Sequence, residues 1–374
     1  MRTRYLRIGI DARAAAEVPA GRGRYVRELV RALLALEGDH RLVLFGRRSW
    51  PLPGTRWVLL PAPDPVWSLQ AGLVARRHCD LVHASNSHLM CAAASVPAVA
   101  VVHDLFGFSA EFGVPPLARA ERATLSLAAR NAAGFICPTE ATRGELVRRF
   151  PGVAGRTRVV PDGVTGSFSS AEPAGVPERH GIEKPYVLFV GTLEPRKNVP
   201  RLIEAFASLP APLLDEFELV LVGAQGWATE QTDQARGSAG ARVRALGYVD
   251  DEDLPSLYAG ATAFAYPSLA EGFGLPVLEA MAAGTPVLTS DRSALPEVAG
   301  GAACLVDPAS VAAIRAGLES LLTDAGLRQR LVRLGRAQAA EYTWERTATE
   351  TLAYLTSVAS TFAAGNRRES PVSS

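Results

Sequence analysis

The fold class is decided by one stretch of the chain, AFAYPSLAEGFGLPVLEAMAAGTPVL, residues 263–288. Its first four residues are a short apolar run typical of a buried strand, and EGFG follows as a glycine loop. Leu275–Ala283 then has the apolar pattern of a helix, with Pro276 in the first turn, where a missing N–H removes no hydrogen bond. A strand, a glycine loop and a helix in succession form the repeating unit of a parallel sheet covered by helices.

Short apolar runs alternate with helical patterns, such as Tyr25–Leu36 and Leu117–Asn131, along the whole chain. This alternation predicts parallel strands with helices on both faces of each sheet. The predicted strands are Leu6–Ile10, Leu42–Phe45, Trp57–Leu60, Leu81–His83, Ala98–Val102 and Gly134–Cys137, followed by Tyr186–Val190, Leu219–Val222, Val243–Leu246, Ala263–Tyr266, Pro286–Leu288 and Ala303–Val306.

The segment 161–184 separates the two sets of strands. It is rich in Gly, Pro and Ser and has no periodicity, so we interpret it as a linker and part of a hinge. The predicted fold class is α/β, with two Rossmann-like doubly wound domains facing each other across a cleft. We assign the domains to residues 1–165 and 183–345. We expect 346–374 to be a C-terminal helix that packs back on the first domain and ends in a frayed tail.

The composition is that of a globular chain, with 374 residues, 48% hydrophobic and 21% charged. The net charge is +1, but residues 1–160 hold about 22 arginines against about 12 acidic residues, and the remainder is acidic. This asymmetry is either chance or a sign that the first half faces something anionic, such as lipid phosphate. No zinc spacing or basic recognition helix stands out, so nucleic acid is not an expected partner.

The cytoplasm is the expected compartment, and peripheral contact of the basic first half with the inner face of the membrane is left open. Cys79, Cys91, Cys137 and Cys304 form no C-x-x-C pair, which suits a reducing compartment. The N-terminal residues lack the apolar region of a signal peptide. The longest apolar stretch, Cys91–Val102, is too short to span a bilayer.

A phosphate site is predicted where the glycine loop meets the helix at Leu275. Backbone N–H groups and the helix dipole point there into the crevice at the carboxyl end of the sheet, and glycines let a ligand approach the backbone. Glu271 and Glu279 frame this loop. Either acid could simply complement the helix dipole, but two carboxylates beside a phosphate site suit a polyhydroxylated phosphate ester such as a nucleotide sugar.

A second strand-to-helix turn, GTLEPRKN at residues 191–198, carries Arg196 and Lys197. It could be a solvated basic turn or a clamp for a diphosphate. Lys184 and Lys197 are the two lysines of an arginine-rich chain. A compact ammonium acts as a point charge on phosphate, so we favour the clamp.

The stretch EGFGLPVLEAMAAGTPV, with its E-x7-E spacing, resembles the signature of the retaining GT-B glycosyltransferases (glycosyl transferases group 1). GTLEPRKN and GYVDDEDLPSLYAGATAFAYPS are similar to earlier blocks of that family, and the resemblance covers residues 185–308. It implies a GT-B fold and transfer of a sugar from a nucleotide diphosphate with retention of configuration, without a metal or other cofactor.

The resemblance also implies roles for residues. Glu279 would hold the ribose hydroxyls, and Lys197, helped by Arg196, would neutralise the diphosphate. The transferred sugar and the diphosphate would be held by Glu271 and the backbone of Gly272, Phe273, Gly274 and Leu275, with Tyr248 and Val249 near the base. Many members carry an arginine where this chain has Thr192, so the share taken by Arg196 is an open point.

The first half contributes a glycine loop with Gly21 and Gly23, ahead of a helix that begins near Arg24. The glycines come too late for a dinucleotide fingerprint, and the loop resembles the one with which the family approaches the donor. His103 ends an apolar strand, where such folds keep ligands. A lone histidine would more often be structural, but it matches a family histidine that contacts the donor sugar at the domain interface.

Three further polar residues, His83, Asn86 and His88, follow another strand end and are weaker candidates for the acceptor side. The predicted catalytic residues are His103, Glu271 and Lys197. Fixed N–H groups and the two cations would stabilise the leaving diphosphate, whose oxygen would accept the proton of the acceptor.

The predicted activity is a retaining, metal-independent hexosyltransferase. GDP-mannose is the first choice of donor, and the acceptor is a glycan, a lipid-linked molecule or a small molecule. Asp251-Glu252-Asp253 spells a DxD metal motif, but acids are favoured at a helix start, so we interpret it as the start of a helix at Leu254. Two alternatives stay open, a sugar-nucleotide epimerase on a similar scaffold and a non-catalytic nucleotide-sugar-binding protein.

Overall fold

The computed structural model describes residues 5–18, 21–50, 52, 55–109, 118–227 and 229–368. These residues form two compact units. The first contains the described residues up to Asp162 and those from Trp344 onward, and the second contains Gly163–Thr343. Each unit is built on its own parallel sheet.

The described part of the first unit forms a sheet of seven strands in the order β3-β2-β1-β4-β5-β6-β7. The strands are β1 (Leu6–Asp11), β2 (His40–Gly46), β3 (Arg56–Leu59), β4 (Leu81–Ala84), β5 (Ala98–Val101), β6 (Gly134–Cys137) and β7 (Thr157–Val159). The helices between them are α1 (Arg13–Glu17), α2 (Arg22–Ala35), α3 (Val66–Val74), α4 (His88–Ala92), α5 (Ala118–Asn131) and α6 (Glu140–Arg149). The winding direction therefore reverses between β1 and β4.

The sheet of the first unit is covered on both faces. Leu42 and Leu44 of β2 pack in the core that includes α2, whereas Val43 and Phe45 pack in a separate core that includes α3. Because neighbouring residues of a strand point to opposite faces, the two cores lie on the two sides of the sheet. The near-continuous apolar runs of the sequence reflect this burial on both sides.

The six strands predicted for this unit are confirmed to within two residues at each end. The seventh, β7, is absent from the prediction because Thr157 and Arg158 leave it with a single apolar residue. It is defined by its parallel pairing with β6, which only the folded sheet provides.

The described part of the second unit forms a sheet of six strands in the order β10-β9-β8-β11-β12-β13. The strands are β8 (Tyr186–Val190), β9 (Glu218–Val222), β10 (Val243–Gly247), β11 (Ala263–Tyr266), β12 (Val287–Ser290) and β13 (Cys304–Val306). The helices are α7 (Gly166–Ser169), α8 (Val176–Arg179), α9 (Val199–Ala207), α10 (Ala211–Glu216), α11 (Glu230–Ala239), α12 (Leu254–Gly260), α13 (Leu275–Ala283), α14 (Leu295–Ala299), α15 (Val311–Thr323) and α16 (Ala325–Ala340). Here the winding reverses between β8 and β11.

The segment interpreted as a linker is packed structure. Phe168 of α7, Val176 of α8 and Ile182 are buried in the core of the second unit. These three side chains are not spaced at a helical or strand period with other apolar residues, so hydrophobic periodicity does not predict their burial. From Gly163 onward the segment belongs to the second unit and is not a free connection.

The last helix, α17 (Trp344–Arg368), belongs to the first unit. Its residues Ala348 and Leu355 are buried in the core that includes α2. Within the described ranges, no helix combines the length and the apolar character needed to cross a bilayer. Contact of the basic first half with a membrane surface stays a prediction.

Candidate functional site

The two predicted phosphate-binding turns follow the two strands between which the second sheet reverses. GTLEPRKN follows β8 and leads through a short 3-10 turn, Pro195–Lys197, into α9, while EGFG follows β11 and leads into α13. The carboxyl edge of a parallel sheet opens a crevice at such a reversal. The topology thereby brings together Arg196, Lys197 and Glu271, which are 74 or 75 positions apart in the sequence.

Glu271 is the centre of this cluster, and both of its carboxylate oxygens are paired. Lys197 Nζ lies 2.7 Å from Oε1, and Arg196 Nη1 lies 2.6 Å from Oε2. Arg196 also pairs with Glu194 at 2.6 Å. Lys197 and Glu271 are each only 7% exposed. Residues 191–198 are therefore not a solvated basic turn, since their charges form a buried network with carboxylates.

The network fixes the charge state of its members. Burial alone would raise the pKa of Glu271, but the charges of Arg196 and Lys197 outweigh it and lower that pKa to about 2. Burial lowers the pKa of Lys197, and the neighbouring Arg196 lowers it further, while Glu271 opposes the change. Glu271 is thus ionised at neutral pH and acts as an acceptor of charge-assisted hydrogen bonds, not as a proton donor.

Two residues that the sequence analysis does not single out complete the cluster. The hydroxyl of Tyr266 accepts a hydrogen bond from Lys197 Nζ, and the ammonium lies 4.8 Å from the centre of its ring. Ser293 Oγ accepts from the Glu271 N–H at 3.1 Å and donates to the Glu271 carbonyl at 2.6 Å. Their positions at strand ends could have indicated a place in the site, because Tyr266 is the last residue of β11 and Ser293 follows the end of β12.

The two turns are also joined by hydrogen bonds to backbone carbonyls. Asn198, in the left-handed conformation with φ of 62°, donates from Nδ2 to the carbonyls of Pro267 at 2.9 Å and Pro308 at 2.7 Å. The N–H of Leu269 donates to the Arg196 carbonyl at 2.7 Å. These bonds hold the cationic turn and the glycine turn in one position, so the cluster is preorganised.

The glycine loop begins α13 as predicted, with the helix over Leu275–Ala283. Gly272, Phe273 and Gly274 are buried, and Leu275 is half-buried. Gly274 precedes the helix with φ of 107°, and a Cβ there would lie 2.6 Å from Leu295 Cδ2. Glycine is therefore required for both conformation and space, and it leaves the start of the helix without a capping side chain, as an anion site needs.

The remaining predicted donor residues lie in different surroundings. Glu279 is buried inside α13 and accepts a hydrogen bond from the Tyr258 hydroxyl at 2.9 Å. Tyr248 and Val249 follow β10, the edge strand, two strands away from β8. Tyr248 is 50% exposed, whereas Val249 is buried in the core. Their roles toward the ribose and the base stay predictions.

The first unit gathers buried and half-buried polar side chains at its own strand reversal. His83 Nδ1 lies 2.9 Å from Ser85 Oγ, and His103 Nε2 lies 3.0 Å from the Ser85 carbonyl oxygen. Asp11 Oδ2 and both side-chain polar atoms of Asn86 are buried with no hydrogen-bond partner among the described residues. Unpaired buried polar atoms are rare in native proteins, so this cluster is a candidate for contact with a polar ligand.

The histidines of this cluster are neutral. Burial lowers the pKa of His83 to about 3, with His103 adding to the effect. Burial and the nearby Arg22 lower the pKa values of His88 and His103 to about 4. Burial also raises the pKa of Asp11. His103 therefore offers a neutral imidazole, and the catalytic role predicted for it stays a prediction.

The two glycines predicted to approach the donor differ in their surroundings, since Gly21 has open space around it and Gly23 is closely packed. Gly21 precedes α2 with φ of 53°, and the helix begins at Arg22, two residues earlier than predicted. Gly23 lies in the first turn of the helix, where a Cβ would clash with the Val18 carbonyl and lie 2.7 Å from that of Ala14. The close approach of two backbones explains Gly23, and the donor contact predicted for both glycines stays a prediction.

Asp253, the last acid of the triplet before α12, is engaged with cationic neighbours. Asp253 pairs with His180 at 2.9 Å and with Arg179 at 3.0 Å, and the hydrogen bond from His180 lowers its pKa. The helix begins at Leu254, as the interpretation of this stretch as a helix start requires. In the part of the chain that the structure describes, no group of three or more His, Cys, Asp or Glu side chains could hold a metal ion.

Known proteins resemble this chain in sequence and in fold. It matches Glycosyl transferases group 1 over residues 176–338 and Glycosyltransferase Family 4 over residues 19–166. It is 35% identical to the O-antigen chain mannosyltransferase B of Escherichia coli over 320 residues, 83% of this chain and 82% of the relative.

Two solved structures share the fold with TM-scores of 0.78. Sucrose-phosphate synthase from Thermosynechococcus elongatus is 22% identical and aligns over 96% of this chain and 100% of that chain. HepE from Anabaena, in complex with UDP-glucose, is 18% identical and aligns over 94% and 100%.

The two parallel-sheet units define a GT-B glycosyltransferase fold, which confirms the predicted fold class. The chain belongs to the glycosyl transferases group 1 family, and the predicted membership is confirmed. It is a glycosyltransferase, and this finding favours the transferase over the epimerase and the non-catalytic alternatives.

Proposed function

We propose that the protein transfers mannose from GDP-mannose to a glycan or lipid-linked acceptor, with retention of configuration and without a metal ion. The observation that carries the proposal is the buried cluster of Arg196, Lys197 and Glu271 beside the uncapped start of α13. The choice of mannose is supported by the 35% identity to an O-antigen chain mannosyltransferase. Assembly of a polysaccharide chain is the corresponding biological process.

The diphosphate of the donor would lie against the first turn of α13 and the ammonium of Lys197. An ammonium has three donors, and Lys197 uses two of them on Glu271 and Tyr266. The third donor is the one we assign to a phosphate oxygen. As the anomeric bond breaks, negative charge grows on the leaving diphosphate, and a positioned ammonium and helix start stabilise it without reorganisation.

Glu271 would orient the cations and the transferred sugar and would not act as an acid. Its pKa of about 2 leaves it without a proton at neutral pH. Both of its oxygens are engaged by cations, which argues against a nucleophile in a double displacement. We therefore propose attack on the same face of the sugar, with the leaving phosphate oxygen accepting the proton of the acceptor.

The test is a thermal-shift titration with GDP, UDP and dTDP in the presence of EDTA. We expect GDP to raise the melting temperature, because a ligand that binds the folded state stabilises it. Lys197→Ala should weaken GDP binding by roughly tenfold to a hundredfold, the usual loss for a hydrogen bond to a charged group. Lys184→Ala is the matched control, because this second lysine is exposed and, among the described residues, its ammonium bonds to the Asp215 carbonyl alone.

Equal GDP affinity in the two lysine variants would overturn the assignment of Lys197. A GDP shift that disappears with EDTA would overturn metal independence. Retention is read separately from the anomeric configuration of the product by NMR, and an inverted product would contradict the proposed same-face attack.

A further inference from the structure

A cavity of about 560 Å³ lies in the second unit, at the opposite edge of the sheet from the cationic cluster. Thr262 and Pro286, which line it, directly precede β11 and β12 and so mark the amino edge. The other lining residues all come from α16 and are Ala325, Arg328, Gln329, Val332, Arg333 and Arg336. Its volume is within the usual range for small-molecule sites, about 300–1,000 Å³.

Three arginines, one glutamine and Thr262 supply the polar part of this lining, and no lining residue is acidic. Arg328 is held in place by hydrogen bonds from Nη1 to the carbonyls of Leu321 at 2.8 Å and Leu322 at 3.0 Å. The guanidinium of Arg336 lies over Gly284, with Nε 2.8 Å from the position that a Cβ on this glycine would take. Two of the three cations are thus seated against backbone.

The charge of α16 is unusual for its surroundings. The sequence after residue 160 is acidic on balance, yet α16 carries four arginines, Arg328, Arg330, Arg333 and Arg336, and no acid. The helices on either side pair their arginines, Arg315 with Glu319 and Arg346 with Glu350. Within the described residues, none of the four arginines of α16 forms an ion pair.

We propose that this cavity binds a phosphate monoester, with Arg333 and Arg336 as its principal contacts. Guanidinium groups bind phosphate oxygens in a bidentate manner, and three of them around one cavity suit a dianion. The apolar part of the lining and the volume leave space for an attached group of the size of a sugar. The site is separate from the donor site of the proposed function and does not depend on it.

The experiment is calorimetric titration with mannose 6-phosphate at constant ionic strength, with mannose as the uncharged probe. We expect saturable binding of mannose 6-phosphate and none of mannose. Arg333→Ala and Arg336→Ala should each weaken binding by about tenfold, the scale of one hydrogen bond to a charged group. Arg330→Ala is the matched control, because it removes the same charge from the same helix outside the cavity, and we expect a change below about twofold.

Three results would overturn the site. The first is the absence of saturable binding of mannose 6-phosphate up to about 10 mM, because a dissociation constant above this value is too weak for a specific site. Equal losses in Arg330→Ala and Arg333→Ala would mean diffuse attraction to a basic helix. Loss of mannose 6-phosphate binding in Lys197→Ala would mean that this ligand enters the donor site. Unchanged GDP binding in Arg333→Ala would support two distinct sites.

A lipid headgroup offers the same phosphate chemistry as a soluble ester. Sedimentation with phosphatidic acid vesicles, compared with phosphatidylcholine vesicles, separates the two sources. Vesicle binding that is lost in Arg333→Ala and displaced by mannose 6-phosphate would support the site and identify the headgroup as its ligand. Binding of mannose 6-phosphate without vesicle binding would support the site with a soluble ester.

Discussion

The two units share a strand order at the reversal of their sheets, but the histidines near the reversal of the first are neutral whereas Glu271 at the reversal of the second is ionised. In the first unit, burial holds His83, His88 and His103 neutral, with pKa values of about 3 to 4. In the second, Glu271 is ionised with a pKa of about 2, because two cations surround it. The same edge of the same architecture therefore offers a neutral polar surface in one unit and a charged network in the other.

This difference shows that strand order locates a site but does not set its chemistry. Burial always disfavours the charged form, so a buried group is neutral unless partners of opposite charge are supplied. The second unit supplies them through Arg196 and Lys197 in the turn after β8, whereas in the first unit Arg13, which follows β1, only partly opposes the effect of burial on the pKa of Asp11. A diphosphate needs cationic partners, whereas sugar hydroxyls form hydrogen bonds with neutral groups and with carboxylates alike.

The largest expected effect comes from breaking the charged network. Glu271→Ala leaves the buried Lys197 and the half-buried Arg196 without this carboxylate and should destabilise the second unit by roughly 3–5 kcal/mol. The control is Glu319→Ala, which removes one partner of an exposed pair and should cost less than about 1 kcal/mol. The free energy of unfolding of both variants is measured by urea denaturation, with hydrogen exchange of the β8 and β11 amides as the probe. Equal losses of stability in the two variants would contradict a buried network.

A smaller effect should come from Asp162, a buried carboxyl of the first unit whose pKa burial raises to about 7. The unfolded chain releases this proton near the ordinary pKa, about 4, before the folded chain does. Stability contributed by the protonated group is therefore lost as the pH rises toward 7. The free energy of unfolding of Asp162→Asn, measured relative to that of wild type, should therefore rise by roughly 2 kcal/mol between pH 5 and pH 7.

Tryptophan fluorescence during urea unfolding suits this measurement, because four of the five tryptophans, Trp50, Trp57, Trp67 and Trp344, belong to the first unit. Glu140→Gln, at an exposed acid of α6, is the control and should show no such change. A constant difference between Asp162→Asn and wild type across this pH range would mean that Asp162 is already ionised at pH 5.

The smallest effect concerns the neutral histidines. The pKa of His88 is lowered to about 4, so on acidification from pH 6.5 the unfolded chain takes up a proton that the folded chain refuses. Stability should fall with a slope approaching about 1.4 kcal/mol per pH unit for each such histidine. His88→Gln should remove one of these contributions, about 1 kcal/mol between pH 6 and pH 5. The same fluorescence measurement tests it, and an unchanged slope would mean that His88 is protonated in the folded unit.

Much of this architecture could be predicted from local pattern. The helix Leu275–Ala283 and the strands Gly134–Cys137, Tyr186–Val190 and Ala263–Tyr266 have their predicted limits. The region after residue 308 forms three successive helices, α15, α16 and α17, and Asp324 separates the first two because its side chain accepts a hydrogen bond from the Leu327 N–H and so begins α16. The cationic turn and the acid were both expected in a site, but not as partners of each other.

The sequence by itself determined most of the strands, turns and helices, because periodicity and the placement of Gly and Pro are local properties, but it did not reveal β7, α7 or α8. Only the tertiary structure decided that Lys197 and Arg196 neutralise Glu271, and that Tyr266 and Ser293 hold them. A contact across 74 positions depends on β8 lying beside β11, and that adjacency belongs to the sheet as a whole. The charge of each group then follows from its neighbours, which the order of residues along the chain does not contain.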